Sequence, residues 1–402
     1  MRIALFTGFY PPPYNANAVR AMYMVKSLRK FDHDVLVIPL NNIFGAQSFF
    51  GEEVFAPHIR GEGSGDQESF YRRTSLFSRA VDLLIRSRKY IDEAISITKK
   101  FDPDVVIGTL PPIEALPIAY LSAKKSGACL IADVQDLVDD HRIFERPWLT
   151  PAIRLYFRKI YKALKESDLV TSTTEFMRNT LVSRIDHDKV VVVPNGVDNE
   201  FYSKCFEKRK EIIRDLAVFL GDLNFKYHRL EVFIEALKIV KAQKTRIRLR
   251  VIGEGVLLPK LRSYVETQGL KEYVEFLGYV KREDLPNKLG EGLFGIVGRP
   301  NANNPWLLTT LRLTTFEYLS CGLPILAYGP PNSYAQYFIQ RHNVGVYVDS
   351  DDPEKVSSGI IKILSIIENE PKIIYRCREV AFNYDWNNIM ENFVKKIVRY
   401  CN

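Results

Sequence analysis

Lys226, Glu317, the pair Thr314 and Thr315, and Asp136 are the residues whose types and places in this chain could do chemistry. Lys226 closes Gly221-Asp222-Leu223-Asn224-Phe225-Lys226, directly after the apolar run Ala217-Val218-Phe219-Leu220. A lysine in such a strand-to-helix loop can reach a phosphate as a compact point charge, although alone its commoner reading is a solvated surface lysine. Thr314 and Thr315 stand at the start of a helical pattern that Gly322-Leu323-Pro324 stops. Free backbone N–H groups and the helix dipole attract phosphate there. Glu317, one turn further in and off the apolar stripe of Leu313, Phe316 and Leu319, could accept both hydroxyls of a ribose. Alone, it could equally be an ordinary exposed helix residue.

The other candidates are less sharp. Asp136 follows the apolar run Leu130-Ile131-Ala132 and precedes Asp139-Asp140-His141. Carboxylates beside a histidine suit a metal site or an acid/base pair, and Asp139 and Asp140 suit helix caps as well. Asp136, nearest the strand end, is the preferred functional member. Val251-Ile252-Gly253-Glu254-Gly255 carries a Gly-x-Gly whose glycines need only permit a tight turn. Leu258 stands where a third glycine would complete the dinucleotide fingerprint, which counts against a nicotinamide dehydrogenase.

Short apolar runs alternating with helical spacing must position these residues. Ile3 to Phe6 reads as a strand buried on both faces, followed by the loop Tyr10-Pro11-Pro12-Pro13-Tyr14-Asn15-Ala16-Asn17. A helix follows with Val19, Met22, Val25 and Leu28 on one face and Arg20, Lys26 and Arg29 on another, and then the strand Val35 to Ile38. Residues 41 to 75 read as a surface excursion, and helical spacing returns from Val81 to Ile95. Four more apolar runs lead to the turn Pro194-Asn195-Gly196. The same grammar then repeats from Ala217 to Val348. The pattern predicts two α/β domains in tandem, with ligands outside the carboxyl ends of the strands.

The 402 residues suit two cores, and 46% hydrophobic with 26% charged residues is globular composition. No run reaches the length of a membrane span, and the N-terminus lacks a signal-peptide layout, so the chain is expected to stay in the cytoplasm. Five widely spaced cysteines predict reduced thiols. A net charge of +8 favours anionic partners without choosing among them.

Four stretches together resemble the large retaining glycosyltransferases of family 4. These are YPPPYNANAVR with FDHDVLVI, DLVTSTTEFMRNTL with VVVVPNGVD, FLGDLNFKYHRL, and TTFEYLSCGLPI. The resemblance implies an α/β chain of the GT-B fold, two Rossmann-like doubly wound domains facing across a cleft. It implies an acceptor-side domain over 1–200, a nucleotide-sugar domain over 201–380, and a helix over 381–402 crossing back to the first. It also implies roles. Lys226, after Gly221, would contact the donor pyrophosphate, and Glu317 would bind the ribose. Asn15 and its loop would close over the phosphates, the backbone at Val280 would meet the base, and Asp136 would contact acceptor or donor. The chain departs from the family at Thr309, where a second glutamate is usual, at Asp222, where an arginine is usual, and at Asn15-Ala16, where glycines are paired. Arg299, just after Phe294 to Val297, could supply the missing cation beside Thr314 and Thr315.

The function implied is transfer of a sugar from a nucleotide-sugar donor to a glycan or lipid-linked acceptor in cell-envelope synthesis, with no cofactor and no metal. Residues 147 to 165 mix Trp148, Ile153, Tyr156, Phe157, Ile160 and Leu164 with five cations. They could rest on an anionic membrane surface or pack as an ordinary core helix. Two rivals remain: a nucleotide-sugar epimerase of the same shape, and a nucleotide-sugar-binding protein that has lost transfer. No basic run or RNA-type signature points to nucleic acid.

Overall fold

In the computed structural model, residues 1–11, 15–40, 53–54, 91–137, 150–185, 187–207 and 214–401 are described. The excursion expected over 41–75 lies almost wholly outside them, as do Pro12 to Tyr14, the helical spacing from Val81 to Ile85, and Asp139, Asp140 and His141. Two compact units form. Met1–Thr173, Arg178–Val193 and Met390–Asn402 make the first, and Thr174–Met177 with Pro194–Ile389 make the second.

The first unit is built on a parallel sheet of β1 (Arg2–Thr7), β2 (Asp34–Pro39), β3 (Glu53–Val54), β4 (Val105–Leu110), β5 (Cys129–Val134), β6 (Leu169–Ser172) and β7 (Val190–Val192). Their order in the sheet is β3-β2-β1-β4-β5-β6-β7. Continuous apolar runs make these strands because helices cover both faces, leaving no solvated side to demand alternation. Ala4, Phe6, Leu36, Ile38 and Val106 pack with Ala119 and Leu130 in one such layer. The helix Ala16–Lys30 starts where Asn15 accepts the backbone N–H of Ala18 at 2.9 Å, a side-chain N-cap.

The second unit repeats the design with β8 (Leu216–Leu220), β9 (Arg248–Ile252), β10 (Val274–Gly278), β11 (Phe294–Gly298), β12 (Ile325–Tyr328) and β13 (Gly345–Val348). All pairs are parallel, in the order β10-β9-β8-β11-β12-β13. Both sheets reverse winding between their first and fourth strands, β1 and β4 in one, β8 and β11 in the other. Such a switch point opens a crevice at the strand ends.

Two expectations need correction. Arg20 is not on a solvated helix face. It is fully buried and ion-paired to Asp133, also fully buried, at 2.7 Å. Its guanidinium also donates to the Val193 carbonyl, while Thr171 and Gln135 donate to Asp133. The apolar stripe is therefore broader than the sequence suggested, since a paired charge occupies part of it. The cysteines are not five reduced thiols. Cys129 is bonded to Cys401 within the first unit and Cys205 to Cys321 within the second, and Cys377 is free and buried. Sequence separations of 272 and 116 hide these pairs from any spacing rule. The ground they gave for a reducing compartment is withdrawn.

Candidate functional site

In the second unit, the loop after β8 starts at Gly221, beside the switch point. The two glycines after β9 explain how this loop is held. Gly253 and Gly255 have φ of +140° and +150°, and a Cβ at either would stand 1.9 Å from the Gly221 carbonyl oxygen or 2.3 Å from the Asn224 nitrogen. Their bare backbones let the two loops lie together, where Leu223 donates its N–H to the Glu254 carbonyl and accepts the N–H of Leu257. The loop ends in a short turn, Lys226–His228. Lys226 is exposed, and among the described residues no carboxylate pairs with its ammonium.

The helix Leu313–Ser320 enters beside this loop, with Arg312 as its extended N-cap. Tyr318 fixes the helix to the sheet by accepting the Leu220 N–H at 2.7 Å. An Arg312 nitrogen lies 3.1 Å from where a Cβ on Gly221 would stand, and the Arg312 guanidinium hydrogen-bonds Nδ1 of His228. Thr314 and Thr315, in the first turn, both hold buried hydroxyls with no hydrogen-bond partner among the described residues. Half-buried Glu317 accepts the Tyr202 hydroxyl at 2.8 Å. Burial pushes its carboxyl above the ordinary range, and the Tyr202 hydrogen bond and the charges of Arg282 and Arg312 only partly reverse this.

Lys226, Gly221, Thr314, Thr315 and Glu317 are thus linked through Arg312 and His228, two residues that no motif in the sequence singles out. Arg299 is buried on the neighbouring strand end. Its guanidinium lies 4.6 Å from the Trp306 ring centroid and 5.6 Å from that of Tyr227, and it lines a small cavity with Arg312, Thr310 and Ser333. Val280 is half-buried against the core beyond β10, where Glu254 accepts the Tyr279 N–H at 3.0 Å. Thr309 is buried and spends its hydroxyl on the Pro305 carbonyl at 2.7 Å. Asp222 accepts the Asn224 N–H at 2.8 Å, which makes it a turn residue of the loop.

In the first unit, Asn15 is the helix cap described above. Asp136 follows β5 and lines a small, mainly apolar cavity with Leu110, Phe157, Ile160 and Tyr161. The helix Thr150–Glu166 turns Phe157, Ile160, Ala163 and Leu164 inward, so these apolar residues are committed to the core. Its exposed face carries Leu155, Arg158, Lys159, Lys162 and Lys165. No described helix is long and apolar enough to cross a membrane. Among the described residues, no three His, Cys, Asp or Glu side chains stand close enough to share a metal ion.

Comparison with known proteins adds a second line of observation. Residues 18–201 match the family model described as Glycosyltransferase Family 4, and residues 214–365 match that described as Glycosyl transferases group 1. Mannosylfructose-phosphate synthase of Agrobacterium fabrum is 24% identical over 139 residues. That stretch is 31% of this chain and spans only 31% of the relative's length. Among solved structures, HepE of Anabaena in complex with UDP superposes with a TM-score of 0.68 at 12% identity, covering 99% of both chains. Sucrose-phosphate synthase from Thermosynechococcus elongatus gives 0.70 at 13% identity, covering 99% of this chain and 98% of that one. A glycosyltransferase from Rickettsia africae gives 0.68 at 14%, covering 100% and 98%. At these identities the likeness to solved structures is one of fold.

Proposed function

The chain is of the glycosyltransferase family 4 type and has the GT-B fold, and from that premise we propose that it moves a sugar from a nucleoside diphosphate sugar to an acceptor hydroxyl, with retention at the anomeric carbon. One observation carries the reading. A carboxylate, Glu317, lies one turn inside a helix whose start meets the β8 loop at a switch point, and the same loop carries exposed Lys226, which pairs with no carboxylate among the described residues. That set suits a ribose and a diphosphate held side by side. The UDP bound to HepE, a protein of the same fold, supports a nucleoside diphosphate as the ligand class.

In this reading the leaving diphosphate gains negative charge as the sugar gains oxocarbenium character. Lys226, the helix start at Thr314 and Thr315, and Arg299 stabilise that charge without a metal ion. Glu317 anchors the ribose and so sets where the anomeric carbon stands. Asn15 and Asp136 belong to the unit that would receive the acceptor, a glycan or a lipid-linked sugar in envelope synthesis. The cationic face of the Thr150–Glu166 helix suits an anionic membrane surface, which would make the protein cytoplasmic and peripheral.

One observation favours a second reading, a nucleotide-sugar-binding protein without transfer. Thr309 is buried and internally bonded, so it offers the donor sugar no carboxylate. Incubation with a panel of nucleotide sugars, read for diphosphate release and for melting temperature, separates the two. Release from one donor that Lys226→Ala abolishes supports transfer. Stabilisation without release supports the binding protein, and isomerised donor supports an epimerase. A panel giving neither release nor stabilisation overturns the nucleotide-sugar reading.

A further inference from the structure

Half-buried Arg312 and buried His228 are the two groups at the β8 loop that the proposed reaction leaves without a part. Arg312 feels the charge of Glu317 but is not in direct contact with it. Among the described residues no carboxylate forms an ion pair with it, and its hydrogen bond goes to His228 Nδ1. A guanidinium only donates hydrogen bonds, so Nδ1 must be the acceptor and the imidazole proton must sit on Nε2. His228 is 3% exposed, and its Nε2 is buried with no hydrogen-bond partner among the described residues. A buried N–H donor without an acceptor is rare in native structures.

The surroundings share one deficiency. Thr315, 1% exposed, and Thr314 hold hydroxyls with no hydrogen-bond partner among the described residues, in the first turn that follows Arg312. Gly221 leaves the space beside the Arg312 guanidinium open, because a Cβ there would meet it. The cluster therefore holds donor groups at Arg312, His228, Thr314 and Thr315 that are not all spent inside the protein.

We propose that Arg312 and His228 act as one diphosphate-binding unit, in which Arg312 fixes His228 as the Nε2–H tautomer and both present N–H donors to the phosphate oxygens of the donor. The inference rests on the nucleotide-sugar reading and assigns to this pair the part of the charge that Lys226, being exposed, holds less tightly. A neutral, pre-aligned N–H donor adds binding without a second charge to desolvate.

Calorimetric titration of the full chain with UDP, ADP, GDP and CDP gives the test. With whichever binds, Arg312→Gln is expected to raise Kd about tenfold to a hundredfold, the worth of one or two charge-assisted hydrogen bonds. His228→Leu is expected to raise it about tenfold, while His228→Gln, which keeps an N–H near the Nε2 position, stays within a few-fold of wild type. In case Arg312→Gln fails to fold, Arg312→Lys keeps a cation but cannot bond Nδ1 and ligand in the same fork, and should weaken binding several-fold. Nitrogen NMR of the bound wild type should show His228 protonated at Nε2. Unchanged Kd in the Arg312 variants and in His228→Leu, with the wild type binding, overturns this inference alone. A wild type that binds none of the four overturns the nucleotide-sugar reading and this inference with it.

Discussion

The Tyr202 hydroxyl donates to Glu317 Oε1 at 2.8 Å, so the carboxylate is aimed before any ligand arrives. Tyr202 is itself buried and follows a turn in which Asp198 accepts the Phe201 N–H. Tyr202→Phe keeps the ring and removes that one donor. Nucleoside diphosphate affinity should fall about tenfold and the melting temperature by several degrees, because a hydrogen bond to a charged group is worth about 1.5–3 kcal/mol.

The raised Glu317 carboxyl predicts a pH signature. As pH falls, Glu317 takes up its proton earlier than an exposed glutamate would, and ribose binding should drop at that step. Glu317→Gln should remove the step. Stability carries the opposite sign. A carboxyl raised by folding favours the native state below the unfolded value and loses that contribution as pH rises through the folded one. Glu317→Gln is therefore expected to melt above wild type at about pH 7 and level with it at about pH 4.

Lys226 is exposed and forms no ion pair among the described residues, so its removal should spare the fold. Lys226→Ala should lower the turnover of a competent donor by about 10²-fold or more, and Lys226→Arg by less. Turnover at the full rate in Lys226→Ala would remove this residue from the mechanism.

The Arg20–Asp133 pair makes a stability prediction. Burial alone would raise the Asp133 carboxyl, but the Arg20 charge, with hydrogen bonds from Arg20, Thr171 and Gln135, holds it below the ordinary range. Its contribution is present above the unfolded value and is lost as pH falls through the folded one. Arg20→Met strands a buried carboxylate and should cost about 3–5 kcal/mol in urea unfolding. Arg20→Met with Asp133→Leu should recover most of that loss, and a double variant as weak as the single one would refute the pairing argument.

Reduction of Cys205–Cys321 offers a separate handle. The bond closes a long loop, so dithiothreitol or Cys321→Ser should lower stability by about 2–5 kcal/mol. Since Cys205 donates its N–H to the Tyr202 carbonyl and Cys321 donates its N–H to the Glu317 carbonyl, nucleoside diphosphate affinity should weaken several-fold as well.

The strand ends and the Leu313–Ser320 helix were legible because each is a local pattern: an apolar run, a stripe of Leu313, Phe316 and Leu319, and a Gly-Leu-Pro stop. The identity of the residues beside Glu317 was not. His228 meets Arg312 across 84 positions and Tyr202 meets Glu317 across 115, and no periodicity encodes such pairs. Arg20 was misread for a related reason. Helical spacing sorts residues by polarity, and a buried arginine carries the signature of a solvated one until Asp133, on the strand β5, is seen against it. Gly253 and Gly255 were legible as turn glycines, but their service to a second loop was hidden.

The assignment of Thr174–Met177 to the second unit, between stretches that belong to the first, bears on how this molecule could be divided or inherited. A gene cut after Val193 would leave the downstream half without the Phe176 ring that packs edge-on against Tyr334. It would also leave the upstream half without Met390–Asn402, including the half-cystine Cys401. Exchanging units between homologous enzymes therefore calls for crossovers at four boundaries, and a single crossover would deliver two incomplete cores.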